Sequence, residues 1–148
     1  MLVRRIKNLT ELEKFAEFLA PWLTPDTFLL LEGELGVGKT TLTQLIAKNL
    51  GIKEKITSPT FTICQRHQIK DNYYLNHFDF FRLNINDNLE VFRELTIDNL
   101  NIIEWGEKNP QFWQDKNYIK IKLTKQNSGT RIANIFLSPS FSTRIDGL

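Results

Sequence analysis

Apolar positions change period several times along the chain, and each change marks an element. Leu12, Phe15, Ala16 and Leu19 recur at helical spacing, which predicts one buried helix face. Thr10, with Glu13 three residues on, reads as the capping box that opens this helix, and Pro21 as its end. Within Thr27 to Glu32 the run Phe28-Leu29-Leu30-Leu31 is unbroken, the pattern of a strand buried on both faces of a parallel sheet. After a glycine-rich stretch, Leu42, Leu45, Ile46 and Leu50 return to helical spacing, with Gly51 where a helix C-terminal glycine belongs.

Tyr73 to Asp79 and Leu100 to Glu104 read as two further strands, each ending on a carboxylate, with a helix around Leu89, Phe92 and Leu95 between them. The pattern then changes. Ile119, Ile121 and Leu123 alternate with Lys120 and Lys122, and a polar turn at Lys125 to Gly129 precedes a strand at Thr130 to Leu137. This predicts an antiparallel hairpin at a sheet edge. Ser138 to Leu148 is polar and expected to fray.

Composition narrows the class. With 148 residues, 41% hydrophobic and 24% charged, the chain fits one globular domain rather than a disordered one. A formal net charge of +2 does not by itself argue for a nucleic-acid or membrane partner. One cysteine, Cys64, excludes an intramolecular disulfide, and with only two histidines it makes no zinc-type cluster. Met1 to Lys7 is basic but no apolar run of signal-peptide length follows, and no stretch approaches the roughly 18 apolar residues of a membrane span. A cytoplasmic protein is expected.

The chemistry is concentrated in Gly33-Glu34-Leu35-Gly36-Val37-Gly38-Lys39-Thr40, which matches G-x-x-x-x-G-K-[ST] in full. Successive backbone N–H groups of such a loop hold phosphate oxygens, and the following helix adds its positive dipole end. Lys39 is expected to bridge the outer phosphates and Thr40 to ligate Mg²⁺. GTPases carry an Asn-Lys-x-Asp segment. Here Thr124-Lys125-Gln126-Asn127 lacks the carboxylate that pairs with guanine, which favours ATP. The expected fold class is therefore α/β, a P-loop NTPase-like three-layer fold over residues 1–137, with a mostly parallel sheet, an antiparallel C-terminal hairpin and a tail at 138–148. Asp79 and Glu104, closing their strands, are the candidates for holding the metal or positioning water, and spacing alone leaves those roles undivided. His77 reads as structural.

Taken together, Gly33 to Thr41, Ser58-Pro59-Thr60-Phe61, His77-Phe78-Asp79-Phe80-Phe81-Arg82 and Ile103-Glu104-Trp105 resemble the bacterial TsaE (YjeE) family over about residues 5 to 137. The resemblance implies a P-loop ATPase that assists TsaB and TsaD type proteins in tRNA N6-threonylcarbamoyladenosine (t6A37) biosynthesis; no arginine finger is assignable from the sequence, so slow turnover raised by a partner is expected. The tRNA is the substrate of that complex. The resemblance also implies nucleotide contacts from Gly33, Glu34, Leu35, Gly36, Val37, Gly38, Lys39, Thr40 and Thr41, and a catalytic or metal role for Lys39, Thr40, Asp79 and Glu104. Thr10 and Arg131 match positions near the nucleotide, and Ser58 to Phe61 a switch-like loop.

Two departures stand out. Glu34 replaces a frequent Asp, and Phe81 stands where the family pattern has Tyr, removing a hydroxyl. The second keeps open a non-hydrolysing nucleotide-sensing module. A small-metabolite kinase would need an acceptor pocket and an arginine-bearing lid, and no such arginine cluster is present.

Overall fold

The computed structural model describes residues 1–57 and 62–145. Seven strands form one mixed sheet: β1 (Leu2–Ile6), β2 (Phe28–Glu32), β3 (Cys64–Lys70), β4 (Tyr73–Asp79), β5 (Leu100–Glu104), β6 (Tyr118–Lys125) and β7 (Arg131–Leu137). Their order is β1-β7-β6-β2-β5-β4-β3. The central β6, β2, β5 and β4 run parallel, and β1, β7 and β3 are antiparallel to their neighbours.

Burial on both faces explains the apolar run of β2. Leu29 and Leu31 face α1 (Leu9–Leu19) and α2 (Lys39–Asn49), packing with Phe15, Leu19, Leu42 and Ile46. Phe28 and Leu30 face the opposite way, against Phe78, Ile103, Phe112 and Trp113. That second face is covered by an aromatic cluster, in which Phe78 lies 5.4 Å from Phe112 and 5.8 Å from Phe80, rather than by long helices. Its scaffold is two 3-10 turns, Glu90–Phe92 and Pro110–Phe112, and the four-residue α3 (Arg93–Thr96). The helix expected around Leu89, Phe92 and Leu95 is thus only one 3-10 turn followed by one α-helical turn, since Thr96, Asn99 and Asn101 divert the backbone. Asn101 Nδ2 donates to the carbonyls of Thr96 and Asn99, and Asn76 Nδ2 donates to Asn101 Oδ1 at 2.9 Å.

The first helix begins earlier than its sequence pattern suggests. Asn8, not Thr10, is the N-cap: its Oδ1 accepts from Glu11 N at 2.9 Å while the Glu11 carboxylate accepts from Lys7 N at 2.6 Å. This resembles a capping box two residues upstream, with Glu11 reaching one residue past the N-cap to the Lys7 amide, and Asn serves as N-cap at least as well as Thr. Pro21 lies in a 3-10 turn, Ala20–Trp22, that follows the helix.

Two strands are new to the picture. β1 pairs with β7 and takes over the edge, so the β6–β7 hairpin lies inside the sheet rather than at its border. β3 pairs with β4 through the two-residue turn Asp71-Asn72, with Asn72 in the left-handed region. The expected fraying of 138–148 is corrected over its first part. Pro139–Ile145 forms α4, and Phe141 is buried in the core beneath it. Ser138 explains the order: its carbonyl accepts from Phe141 N and Ser142 N while its hydroxyl accepts from Tyr118 N.

Candidate functional site

The glycine loop joins the carboxyl end of β2 to α2 at the centre of the sheet. Gly33, Gly36 and Gly38 take φ of +145°, +77° and +114°. Gly38 is the N-cap of α2 and provides no side-chain cap, so the first-turn amides of an eleven-residue helix are left for another acceptor. Arg131, first residue of β7, donates from Nε to the Val37 carbonyl at 2.6 Å and braces the loop from the hairpin side. Glu34 and Leu35 form its exposed crest, and the Glu34 carbonyl accepts from Val37 N at 3.2 Å.

Beside the loop lies an open cleft of about 480 Å³, lined among others by Gly36, Gly38, Lys39, Thr40, Thr41, Asp79, Arg82 and Glu104. Sheet register explains the convergence. Leu31 and Asp79 are both Cα partners of Glu104, so β2, β5 and β4 end level at the cleft. Ligands sit at the carboxyl ends of parallel strands for this reason.

Glu104 is the hub. It is 4% exposed, and Thr40 Oγ1 donates to its Oε1 at 3.3 Å and its Oε2 at 3.5 Å. His77 Nε2 lies 2.5 Å from Glu104 Oε2, and the imidazole is wholly buried. Asp79 is placed alongside, with Oδ1 accepting from Phe81 N at 2.9 Å and so fixing its own turn. Lys39 is 5% exposed; its ammonium donates to the Gly33 carbonyl and stands 4.0 Å over the Trp105 ring. Burial pushes the Lys39 pKa down, and Glu104, Glu107 and Asp79 oppose that shift.

Trp105 holds φ +59° and ψ +36°, a left-handed conformation that is costly for a bulky residue and that turns the chain out of β5. Its ring lies 5.0 Å from that of Phe81, which is 46% exposed at the rim of the cleft.

The structure therefore gathers Lys39, Thr40, Asp79 and Glu104, and brings Arg131 onto the loop. Thr10 is an exposed residue in the first turn of α1 and does not line this cleft. Ser58 to Phe61 lies outside the described residues. His77, read from the sequence as structural, is set against Glu104. Its two-residue spacing from Asp79 already put both on one face of β4, but the register that sets it against Glu104 is a tertiary fact.

Among the described residues no three His, Cys, Asp or Glu side chains form a ready-made metal cage. The oxygen set here, one hydroxyl and two neighbouring carboxylates, instead suits Mg²⁺, which takes one or two carboxylates and completes its shell with water and phosphate oxygens. Among the described residues no helix is long and apolar enough to cross a membrane.

Comparisons with known proteins bear on the family and the fold. A family model described as "Threonylcarbamoyl adenosine biosynthesis protein TsaE" matches residues 6–133. The tRNA threonylcarbamoyladenosine biosynthesis protein TsaE of a Nostoc species is 39% identical over 123 residues, covering 79% of this chain and 74% of the relative. The protein of the same name from Rickettsia felis is 30% identical over 95% of this chain and 91% of its own. Among solved structures, Bacillus subtilis YdiB superposes with a TM-score of 0.70 at 24% identity, covering 99% of this chain and 92% of that one, and so shares its fold. The chain belongs to the TsaE family.

Proposed function

We propose that this chain is a Mg²⁺-dependent ATP-binding and ATP-hydrolysing accessory protein of tRNA t6A37 biosynthesis, working in the cytoplasm on a complex of TsaB and TsaD type proteins. The pathway rests on family membership. The observation that carries the chemistry is the convergence of the uncapped α2 N-terminus, Lys39, Thr40 and Glu104 on one cleft.

Loop amides and the Lys39 ammonium hold the phosphate oxygens, the ammonium leaving the Gly33 carbonyl for the stronger, charged acceptor. Thr40 and Glu104 hold Mg²⁺, and the weak bifurcated contact between them is the one that a cation replaces. When bound, the ion neutralises charge on the transferred phosphoryl group. Asp79, held by its own turn one strand from Glu104, orients water or the ion's water shell. The parallel-strand, P-loop NTPase character of the fold is part of this reading. Binding is expected from Gly33 to Thr41 and Arg131.

The cleft is open, and among the described residues only Lys39 and Arg82 line it as cations. Unaided turnover is therefore slow, and the partner complex raises it. ATP hydrolysis measured alone and with the TsaB–TsaD pair tests this: stimulation is expected in wild type and is lost in Lys39→Ala and Glu104→Gln. Absence of stimulation, or its survival in both variants, overturns the reading.

Phe81 supports one alternative. It sits on the cleft rim where the family pattern has a hydroxyl, so a nucleotide sensor without turnover would show ATP-dependent complex formation and no phosphate release.

A further inference from the structure

We propose that His77 is a positioning residue for Glu104: from β4 it grips one carboxylate oxygen and thereby keeps the other turned to Thr40 and the cation site. The proposal rests on the metal role given to Glu104 above.

The geometry separates a permanent contact from an exchangeable one. His77 Nε2 and Glu104 Oε2 are 2.5 Å apart, with side-chain exposures of 0% and 5%. Thr40 Oγ1 stands 3.3 and 3.5 Å from the two carboxylate oxygens, a weak shared bond that the hydroxyl gives up on ligating a metal. Among the described side chains, only the imidazole therefore holds Glu104 in both situations. A glutamate has three side-chain torsions to fix, and a ligand fixed beforehand does not lose that freedom when the ion arrives.

Packing alone does not account for this histidine. His77 occupies the α2-facing side of β4, two residues from Leu75 and opposite Ile102, where an apolar side chain would fill the space without polar cost. Instead the ring is wholly buried and its Nδ1 has no hydrogen-bond partner among the described residues. A carboxylate oxygen only accepts, so the proton of the close contact sits on Nε2. A buried polar atom left unpaired in this way disfavours the fold. The one bond that this arrangement secures is the one to Glu104. Partners of this kind around metal ligands typically change metal affinity about 10–100-fold when removed.

The test compares His77→Leu, His77→Gln and Glu104→Gln by titrating Mg²⁺ into each protein with a non-hydrolysable ATP analogue. Affinity for the analogue without Mg²⁺ and thermal unfolding are measured alongside. His77→Leu is expected to raise the Mg²⁺ concentration at half-saturation by about tenfold or more while metal-free affinity holds. His77→Gln, whose amide nitrogen takes the place of Nε2, is expected to restore most of the loss. A folded His77→Leu with wild-type Mg²⁺ dependence, or a His77→Gln as impaired as His77→Leu, overturns the proposal. Should His77→Leu fail to fold, ¹⁵N NMR of wild type decides: a proton on Nε2 is expected, and a bare Nε2 overturns it. Glu104→Gln separates the two levels, because a wild-type Mg²⁺ requirement there overturns the metal role of Glu104 itself, and the proposal with it.

Discussion

Gly33→Ala gives a direct measure of how tightly the phosphate loop is built into the sheet. A Cβ at this position would lie 2.6 Å from the Leu123 carbonyl oxygen and 2.8 Å from Val37 Cγ1, at a φ of +145°. The first obstacle is backbone of β6, whose Leu123 is paired with Ala133 of β7, so it has no rotamer by which to move aside. The left-handed backbone costs about 1–2 kcal/mol for any residue with a Cβ. Overpacking adds about 1–3 kcal/mol. The expected loss is thus roughly 2–5 kcal/mol, or a fall of about 2–4 °C in Tm for each kcal/mol in a chain of this size. Gly36→Ala is the control, since it takes φ +77° with no heavy atom within 4 Å of the added Cβ and suffers the backbone cost alone. Urea unfolding of both variants reads the difference. ATP affinity should fall further in Gly33→Ala as well, because Gly33 opens the loop whose amides hold the phosphate oxygens, and a shifted backbone misaims them. Equal stability of the two variants would refute the claim that β6 backs the loop.

Other outcomes follow from charge and burial. Burial lowers the Lys39 pKa, so its ammonium is lost at a lower pH than an ordinary lysine's; ATP affinity is expected to weaken with rising pH on the alkaline side, and an affinity flat up to the ordinary lysine range would contradict this. Glu32 has its pKa raised, first by burial and partly offset by Lys120 and Lys122. The folded state therefore holds that proton more tightly, and wild type loses stability as pH rises from the unfolded carboxyl's range through the raised value. Glu32→Gln should accordingly melt higher than wild type at pH 7 and no higher near pH 4, and the opposite trend in calorimetry would reverse the sign. Asn101→Ala removes the donor shared by the Thr96 and Asn99 carbonyls and should cost about 1–3 kcal/mol in urea unfolding; a change within a few tenths would mean the turn before β5 does not depend on it.

How much was legible in the chain depends on how local each signal is. β4 and β5 have the bounds their apolar patterns predicted, and β2 and α2 flank the loop as expected, because burial on one or both faces writes its period directly into the sequence. β1 and β3 were not legible. Their partly exposed residues, Leu2 to Ile6 and Cys64 to Lys70, become strands by pairing with β7 and β4, and pairing leaves little trace in a short mixed segment. The capping of α1 was misplaced by two residues because Asn8 and Thr10 are both able caps, and only the Lys7 and Glu11 contacts separate them.

For the site, the sequence by itself determined the glycine loop with Lys39 and Thr40, since those residues are contiguous and their spacing is their chemistry. It also determined that Asp79 and Glu104 close their strands. Only the tertiary structure decided that β2, β5 and β4 end level, that Thr40 meets Glu104 across 64 residues of chain, and that His77 rather than solvent holds that carboxylate. Sheet order and register are properties of the closed fold, set by which apolar faces find each other, and no local period encodes them.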